Sequence, residues 1–242
     1  MTKTAVAAPE RANTIGLVLA GGRATRMGGV NKGLVLFNGE PMAGRVIRTL
    51  AGQVSRVWVS ANRDADAFVK LGAQKVFADV LEGFPGPLAA LDSLNERLRT
   101  EGTEGVEWIL TVPCDVPLVP ETLLEVFAGA FDGSPAYTIE TGGDDQNTIS
   151  LVHVSVLPTV RPFLEGGDRK LGLWFERQGR GHVHWDGPKS DFYNVNAPQD
   201  LRQLESEAKT GALRRRGSTV FAVFLRRVLT KPAERCLISI LR

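Results

Sequence analysis

Five glycines fall between Gly21 and Gly33 in the segment LAGGRATRMGGVNKG (residues 19–33), with Arg23, Arg26 and Lys32 interleaved among them. Glycine lets backbone N–H groups approach a ligand that side chains would hold off, and the cations add charge-assisted bonds to phosphate oxygens. The segment follows IGLVLA (residues 15–20), a continuous apolar run of strand length, so the loop stands at the carboxyl end of a buried strand. A phosphate-binding loop is expected here; the alternative is a glycine-rich surface loop with a structural role alone. Two common phosphate loops are excluded. Lys32 lies between Asn31 and Gly33 rather than in Gly-Lys-Ser/Thr, and the G-x-G-x-x-G pattern is absent.

A carboxylate belongs to the same edge. Asp115 in VPCDVP (residues 112–117) lies just past the apolar run EWILTV (107–112), between Pro113 and Pro117. Ligands of open α/β sheets bind outside the carboxyl ends of the strands, and a carboxylate there suits Mg2+ on a triphosphate. Mg2+ keeps several waters and takes one or two protein carboxylates, so no dense acidic cluster is needed. Capping of the following helix is the structural alternative for Asp115. Asp79 follows another short strand, KVFA (75–78), at the same edge. Cys114 reads as a small buried strand residue, because no activating base stands nearby. His182 and His184 share a strand face, and without a third ligand both read as structural.

The elements that position these residues alternate. Strands are expected at 15–20, 56–61, 75–78 and 107–112, with an extended segment and Asn-Gly turn over 34–41. Helices are expected from there through Leu50, over Asp64–Leu71, over 87–98 with Leu88, Leu91, Leu94 and Leu98 at helical spacing, and after Pro120. This alternation predicts an α/β fold, a Rossmann-like, doubly wound, mostly parallel sheet. Beyond Gly133 the second half is more elaborate. AYTIE, TISLVH, HVHWD and FYNVN read as further strands, and helices are expected near Val156–Leu164, Arg169–Gln178 and Gln199–Ala208.

LAGGRATRMGGVNK resembles the signature loop of nucleotidyltransferases built on a Rossmann-like sheet, of the nucleotide-diphospho-sugar-transferase type. Within them the chain resembles the molybdenum cofactor guanylyltransferases from about Ile15 to Leu204. EGFPGPLAAL (82–91), VPCDVPLV (112–119) and YNVNAPQDL (193–201) follow in the family's order and spacing. The resemblance implies transfer of GMP from GTP to the terminal phosphate of molybdenum-molybdopterin, with pyrophosphate released and Mg2+ as cofactor. It implies nucleotide contacts at Leu19, Ala20, Gly21, Gly22, Lys32, Ser60, Asn62, Asp79, Gly86, Pro87, Leu88 and Asp115, with Asp115 holding the metal. Arg26, Lys32 and Asp115 carry the catalytic roles. LAGG and Gly86-Pro87-Leu88-Ala89 follow the guanylyl form, where cytidylyl relatives have LAAG and a different second segment. One position departs: Ser60 stands where the family often has the first Asn of Asn-x-Asn, and offers one hydroxyl in place of an amide. The acceptor is expected on the second half. Asn194 and Asn196 match the family's N-V-N-x-P on the pterin side, or serve as turn residues before a proline. Arg169 and Lys170 match a basic position that meets the pterin phosphate, or form a solvated helix start. Runner-up readings are a CTP-dependent or sugar-nucleotide transferase, and a nucleotide-binding carrier that hands cofactor to apoenzymes.

Composition is that of an ordinary globular chain, with 43% hydrophobic and 23% charged residues in 242. The net charge of +2 is unevenly distributed. Residues 205–242 carry nine Lys/Arg against three Glu, leaving 20 basic and 24 acidic residues, a net −4, in residues 1–204. A mildly acidic body argues against nucleic-acid binding. No apolar run reaches the ~18 residues of a membrane span. AVAA near the start is cut short by Pro9, Glu10 and Arg11, so no secretory segment is read and a cytoplasmic protein is expected. The organisation expected is a disordered leader over 1–13, a nucleotidyltransferase domain over 14–204 and a basic extension over 205–242. Within the extension, STVFAVFLRRVL (218–229) reads either as an amphipathic helix or as a poorly selected addition. A monomer is expected, meeting GTP, molybdenum-molybdopterin and, transiently, the proteins that make molybdopterin or receive the product.

Overall fold

The computed structural model describes residues 6–22, 31–81, 86–102 and 105–209. Arg23, Arg26, the start of the EGFPGPLAAL motif and the 218–229 segment lie outside the described residues.

The described chain begins with β1 (Thr14–Leu19), then a small hairpin of β2 (Leu36–Phe37) and β3 (Glu40–Pro41). Asn38 and Gly39 form the hairpin turn with φ of 49° and 82°, the left-handed pair that a tight two-residue hairpin requires. Next come α1 (Met42–Ala51), β4 (Arg56–Ser60), α2 (Ala65–Lys70), β5 (Lys75–Phe77), α3 (Pro87–Glu101) and β6 (Trp108–Pro113). The second half adds α4 (Leu123–Gly129), β7 (Ala136–Thr141), β8 (Asp144–His153), α5 (Val160–Glu165), α6 (Leu171–Gln178), β9 (Gly181–His184) and α7 (Pro198–Lys209).

The described residues form a seven-stranded sheet in the order β5-β4-β1-β6-β8-β7-β9. β5, β4, β1 and β6 are parallel; β8 runs antiparallel to both β6 and β7, and β9 is parallel to β7. The expected α/β architecture with a mostly parallel sheet is what forms. β1 is central because both its faces are apolar. Ile15 and Leu17 point into a core with Leu88, Leu91 and Leu94 of α3, while Val18 points into the opposite core with Val46, Ile47 and Leu50 of α1. Among the described residues no helix is long and apolar enough to cross a membrane.

Two differences from the sequence reading stand out. In the stretch read as a leader, residues 6–13 are tied to the fold although most are exposed: Pro9 is buried, Trp108 Nε1 donates to the Ala7 carbonyl at 2.9 Å, and Asn13 Nδ2 to the Ala8 carbonyl at 3.0 Å. FYNVN is no strand. Lys189–Phe192 closes a 3-10 turn, and residues 193–196 run as irregular chain. Val195 is buried with Phe37, Met42 and Leu204. Its N–H goes to the Asp115 carbonyl at 2.9 Å rather than into a sheet ladder. The alternation that resembled a strand is a loop clamped at one apolar residue.

Candidate functional site

A cleft of about 480 Å³ opens where β1, β4, β5 and β6 end. Its floor is backbone. Ala20 N–H donates to the Ser60 carbonyl at 2.8 Å and Cys114 N–H to the Leu19 carbonyl at 3.0 Å, so the chain leaving β1 stays wedged between β4 and β6 through Ala20. Gly21 and Gly22 then line the cleft. A Cβ on Gly22 would meet nothing within 4 Å among the described residues, which leaves this backbone open to a ligand on their side.

Lys32 re-enters the cleft on a 3-10 turn, Lys32–Leu34, whose N-terminus is capped by Asn31: its Oδ1 accepts from Gly33 N–H at 3.2 Å. Asn31 also donates to Asp64 Oδ2 at 3.1 Å. Gly33 is buried so closely that an added Cβ would stand 3.0 Å from that of Ala43. This seating directs the lysine. Its Nζ lies 3.2 Å from Asp115 Oδ2 and 2.7 Å from Asn196 Oδ1. The Asp115 side chain is 13% exposed, so the pair is largely shielded from solvent screening.

A second carboxylate stands across the cleft. Asp79 accepts from Ser60 Oγ at 3.2 Å and from Asn62 Nδ2 at 2.9 Å, and its own N–H donates to Asn62 Oδ1 at 2.9 Å. Ser60 is 1% exposed and is tied to Asp79 by its hydroxyl. The N-terminus of α3 forms a further wall through Gly86, Pro87 and Ala90. Gly86 has φ of +127°, a value that disfavours any side chain, and Pro87 occupies the first helical position, where a missing N–H costs nothing. A helix N-terminus presents N–H donors and a positive dipole end, which favours an anionic ligand.

The structure thus brings Leu19, Ala20, Gly21, Gly22, Lys32, Ser60, Asp79, Gly86, Pro87, Asp115, Asn194 and Asn196 to one cleft. Asn62 serves it through Asp79. The Leu88 side chain instead packs in the core beside Leu91. Arg169 and Lys170 are exposed ahead of α6 and are not among the lining residues. Asn31, Ala90 and Thr148 line the cleft without having been singled out in sequence; a capping Asn beside Lys32 was the one signal available. A neighbouring cleft of about 360 Å³ shares Asn194 and Asn196 and adds Gln146, Lys189, Tyr193 and Asp200.

Other reactive side chains are accounted for. Burial, reinforced by the Asp115 charge, pushes the Cys114 thiol far above its ordinary range, so it is no nucleophile. His182 Nδ1 lies 3.2 Å from Asp145, and His184 is within 3.7 Å of Glu140 and 3.5 Å of Asp186. Among the described residues no group of three or more His, Cys, Asp or Glu is arranged to hold a metal by itself.

Residues 16–181 match the model of the MobA-like NTP transferase domain. The chain is 36% identical over 189 residues to the molybdenum cofactor guanylyltransferase of Vibrio parahaemolyticus, covering 78% of this chain and 93% of that protein. It is 37% identical over 207 residues to the protein of the same name from Burkholderia orbicola, covering 81% and 98%. Among solved structures it resembles molybdopterin-guanine dinucleotide biosynthesis protein A from Archaeoglobus fulgidus, with TM-score 0.61, 18% identity and coverage of 81% and 99%. It also resembles Rv0371c of Mycobacterium tuberculosis in complex with manganese, with TM-score 0.59, 16% identity and coverage of 80% and 98%. The structural likenesses bear on fold; the sequence matches carry the assignment. The chain belongs to the MobA-like NTP transferase family, among its molybdenum cofactor guanylyltransferases.

Proposed function

We propose that this chain transfers GMP from GTP to the terminal phosphate of molybdenum-molybdopterin, releasing pyrophosphate and forming the guanine dinucleotide cofactor. The observation that carries the proposal is the meeting of Lys32, Asp115 and Asn196 beside the open backbone of Gly21 and Gly22. The curated relatives named molybdenum cofactor guanylyltransferase support the choice of substrates.

The acceptor phosphate is already anionic at neutral pH and needs no general base. Catalysis then rests on alignment and charge neutralisation. The backbone of Leu19–Gly22 and the α3 N-terminus hold the nucleotide, with Asp79 fixed opposite by Ser60 and Asn62. The Lys32 ammonium offsets phosphate charge, and Arg26 has the same role by family resemblance. Guanine is selected by hydrogen bonds, which penalise a base of the wrong pattern strongly. Asn194 and Asn196 face the acceptor.

The donor set fits Mg2+. The Asp115 carboxylate, 13% exposed and lining the cleft, is a hard oxygen ligand of the kind this ion takes, and one such carboxylate is enough for it. Asp115 would hold the metal, which when bound neutralises the triphosphate and polarises the α-phosphate.

The test is pyrophosphate release by the purified chain with Mg2+ and molybdenum-loaded molybdopterin, comparing GTP with CTP. Release with GTP is expected. Release with CTP alone assigns the cytidylyl reaction, and release with neither contradicts the proposal.

A further inference from the structure

The penultimate residue of the motif YNVNAPQDL is an aspartate to which the mechanism gives no part. Asp200 occupies the third position of α7, and its Oδ2 accepts from two consecutive backbone groups, Asn196 N–H and Ala197 N–H, each at 2.8 Å. A carboxylate at this helix position ordinarily reaches back to the capping residue in exchange for a side-chain bond from it. Here the capping position is Ala197, which has no oxygen to return, and the aspartate extends its grip to the residue before. The Tyr193 hydroxyl donates to the other oxygen, Oδ1, at 3.4 Å.

What Asp200 holds is the residue that reaches Lys32. Asn196 Oδ1 accepts from Lys32 Nζ at 2.7 Å, a contact spanning 164 residues of sequence. The same loop meets Asp115 directly through Val195 N–H on the Asp115 carbonyl at 2.9 Å. The contacts close a ring: the Asp115 backbone fixes Val195, Asp200 fixes the orientation of Asn196, Asn196 draws the ammonium, and the ammonium returns to the Asp115 side chain at 3.2 Å. Val195 is held by its apolar neighbours and needs no help from Asp200. The direction in which Asn196 leaves the loop depends on the two N–H groups that Asp200 takes.

We infer that Asp200 is a positioning residue of the transfer reaction, acting through Asn196 to hold the Lys32 ammonium against Asp115. The kinetic consequence rests on the function proposed above; the geometric one does not.

Two measurements on the full chain test it. The first is labelling of Lys32 by an amine-reactive acetylating reagent without nucleotide, quantified by peptide mass spectrometry with exposed Lys70 as the internal reference. Asp200→Ala should raise Lys32 labelling about fivefold, Asn196→Ala should do the same, and the double variant should gain no more than either, since residues acting in one chain are not additive. The second is kinetics: Asp200→Ala should lower kcat about tenfold with the GTP KM within about twofold, and Asp200→Asn, which keeps an acceptor oxygen, should recover most of that loss. Unchanged Lys32 labelling in a folded Asp200→Ala, or effects that add with Asn196→Ala, would reduce Asp200 to a helix cap and overturn the inference. If Asp200→Ala fails to fold, Asp200→Ser, whose shorter side chain cannot reach both N–H groups, with and without Asn196→Ala carries the same comparison. A wild type without guanylyl transfer would remove the function while leaving the labelling result to decide the ring.

Discussion

Lys32 and Asp115, 83 residues apart in sequence, meet at 3.2 Å between Nζ and Oδ2, with side chains 22% and 13% exposed. Each explains the position of the other. A shielded carboxylate at the end of β6 needs a cation, and a lysine pointed into a cleft needs an acceptor. Both are aimed at the space in front of Gly21 and Gly22. Asp115→Asn and Lys32→Met should each lower kcat by about 10²–10³ while circular dichroism stays that of the wild type, in line with the loss of one group that stabilises transition-state charge. A variant of either kind with near wild-type kcat would detach the pair from catalysis.

Asp92 of α3 is 2% exposed and receives Arg161 of α5 in a two-pronged contact, Nε to Oδ1 at 2.9 Å and Nη2 to Oδ2 at 2.7 Å. The pair ties the helix whose N-terminus walls the cleft to the second half of the molecule. Arg161→Met leaves a buried carboxylate without its partner and should cost about 3 kcal/mol in denaturant unfolding. Adding Asp92→Leu should recover much of that loss, because an apolar pair removes the buried charge. No loss in the single variant would mean that the pair contributes nothing to stability.

Asp191 stands in the 3-10 turn before Tyr193, and burial pushes its carboxyl up to about 6, opposed by the Trp185 indole N–H at 3.2 Å. The ordinary aspartate value is 3.8. Between these two values the folded chain binds more protons than the unfolded one, so this group's contribution to stability falls as pH rises through that window and is level above it. Asp191→Asn should therefore stabilise at pH 7.5 by about 1–2 kcal/mol, a few degrees in Tm, and have little effect near pH 4. Thermal melts of both proteins across pH 4–8 measure the difference. Equal curves would show that Asp191 titrates like an exposed aspartate.

At Gly33 an added Cβ would lie 3.0 Å from Ala43 Cβ, 3.2 Å from the Phe68 ring and 3.3 Å from Cys114 Cβ. Gly33→Ala should cost about 1–3 kcal/mol by overpacking. Because Gly33 adjoins Lys32, the shift should also lower kcat; a stability loss with unchanged kcat would separate the packing of this turn from the placement of Lys32.

Much of the cleft could be read before folding because its parts are local. The run at 15–20 is too apolar for anything but a strand buried on both faces, and the glycines after it and the aspartate beyond the 107–112 run inherit their places from strand ends. The Asn38-Gly39 turn was legible for the same reason, while its pairing of β2 with β3 came only with the structure. The second half was harder. Tyr193, Val195 and their asparagine neighbours alternate like a strand, yet Val195 is buried by Phe37, Met42 and Leu204, and no sequence period reports contacts made across 150 residues. The same distance hid the bond from Asn196 to Lys32. Arg169 and Lys170, expected to meet the pterin phosphate, are exposed ahead of α6, whose Trp174 and Phe175 pack into the core behind them.

The most direct test follows the phosphorus. GTP carrying a label on the α-phosphate is supplied with Mg2+ and molybdenum-loaded molybdopterin, and products are separated and identified by mass. The expected result is label in a pterin guanine dinucleotide, formed in equal amount with pyrophosphate and abolished by Asp115→Asn. Label found in GMP or GDP alone, or a dinucleotide formed equally well with Asn at position 115, would contradict guanylyl transfer at this cleft.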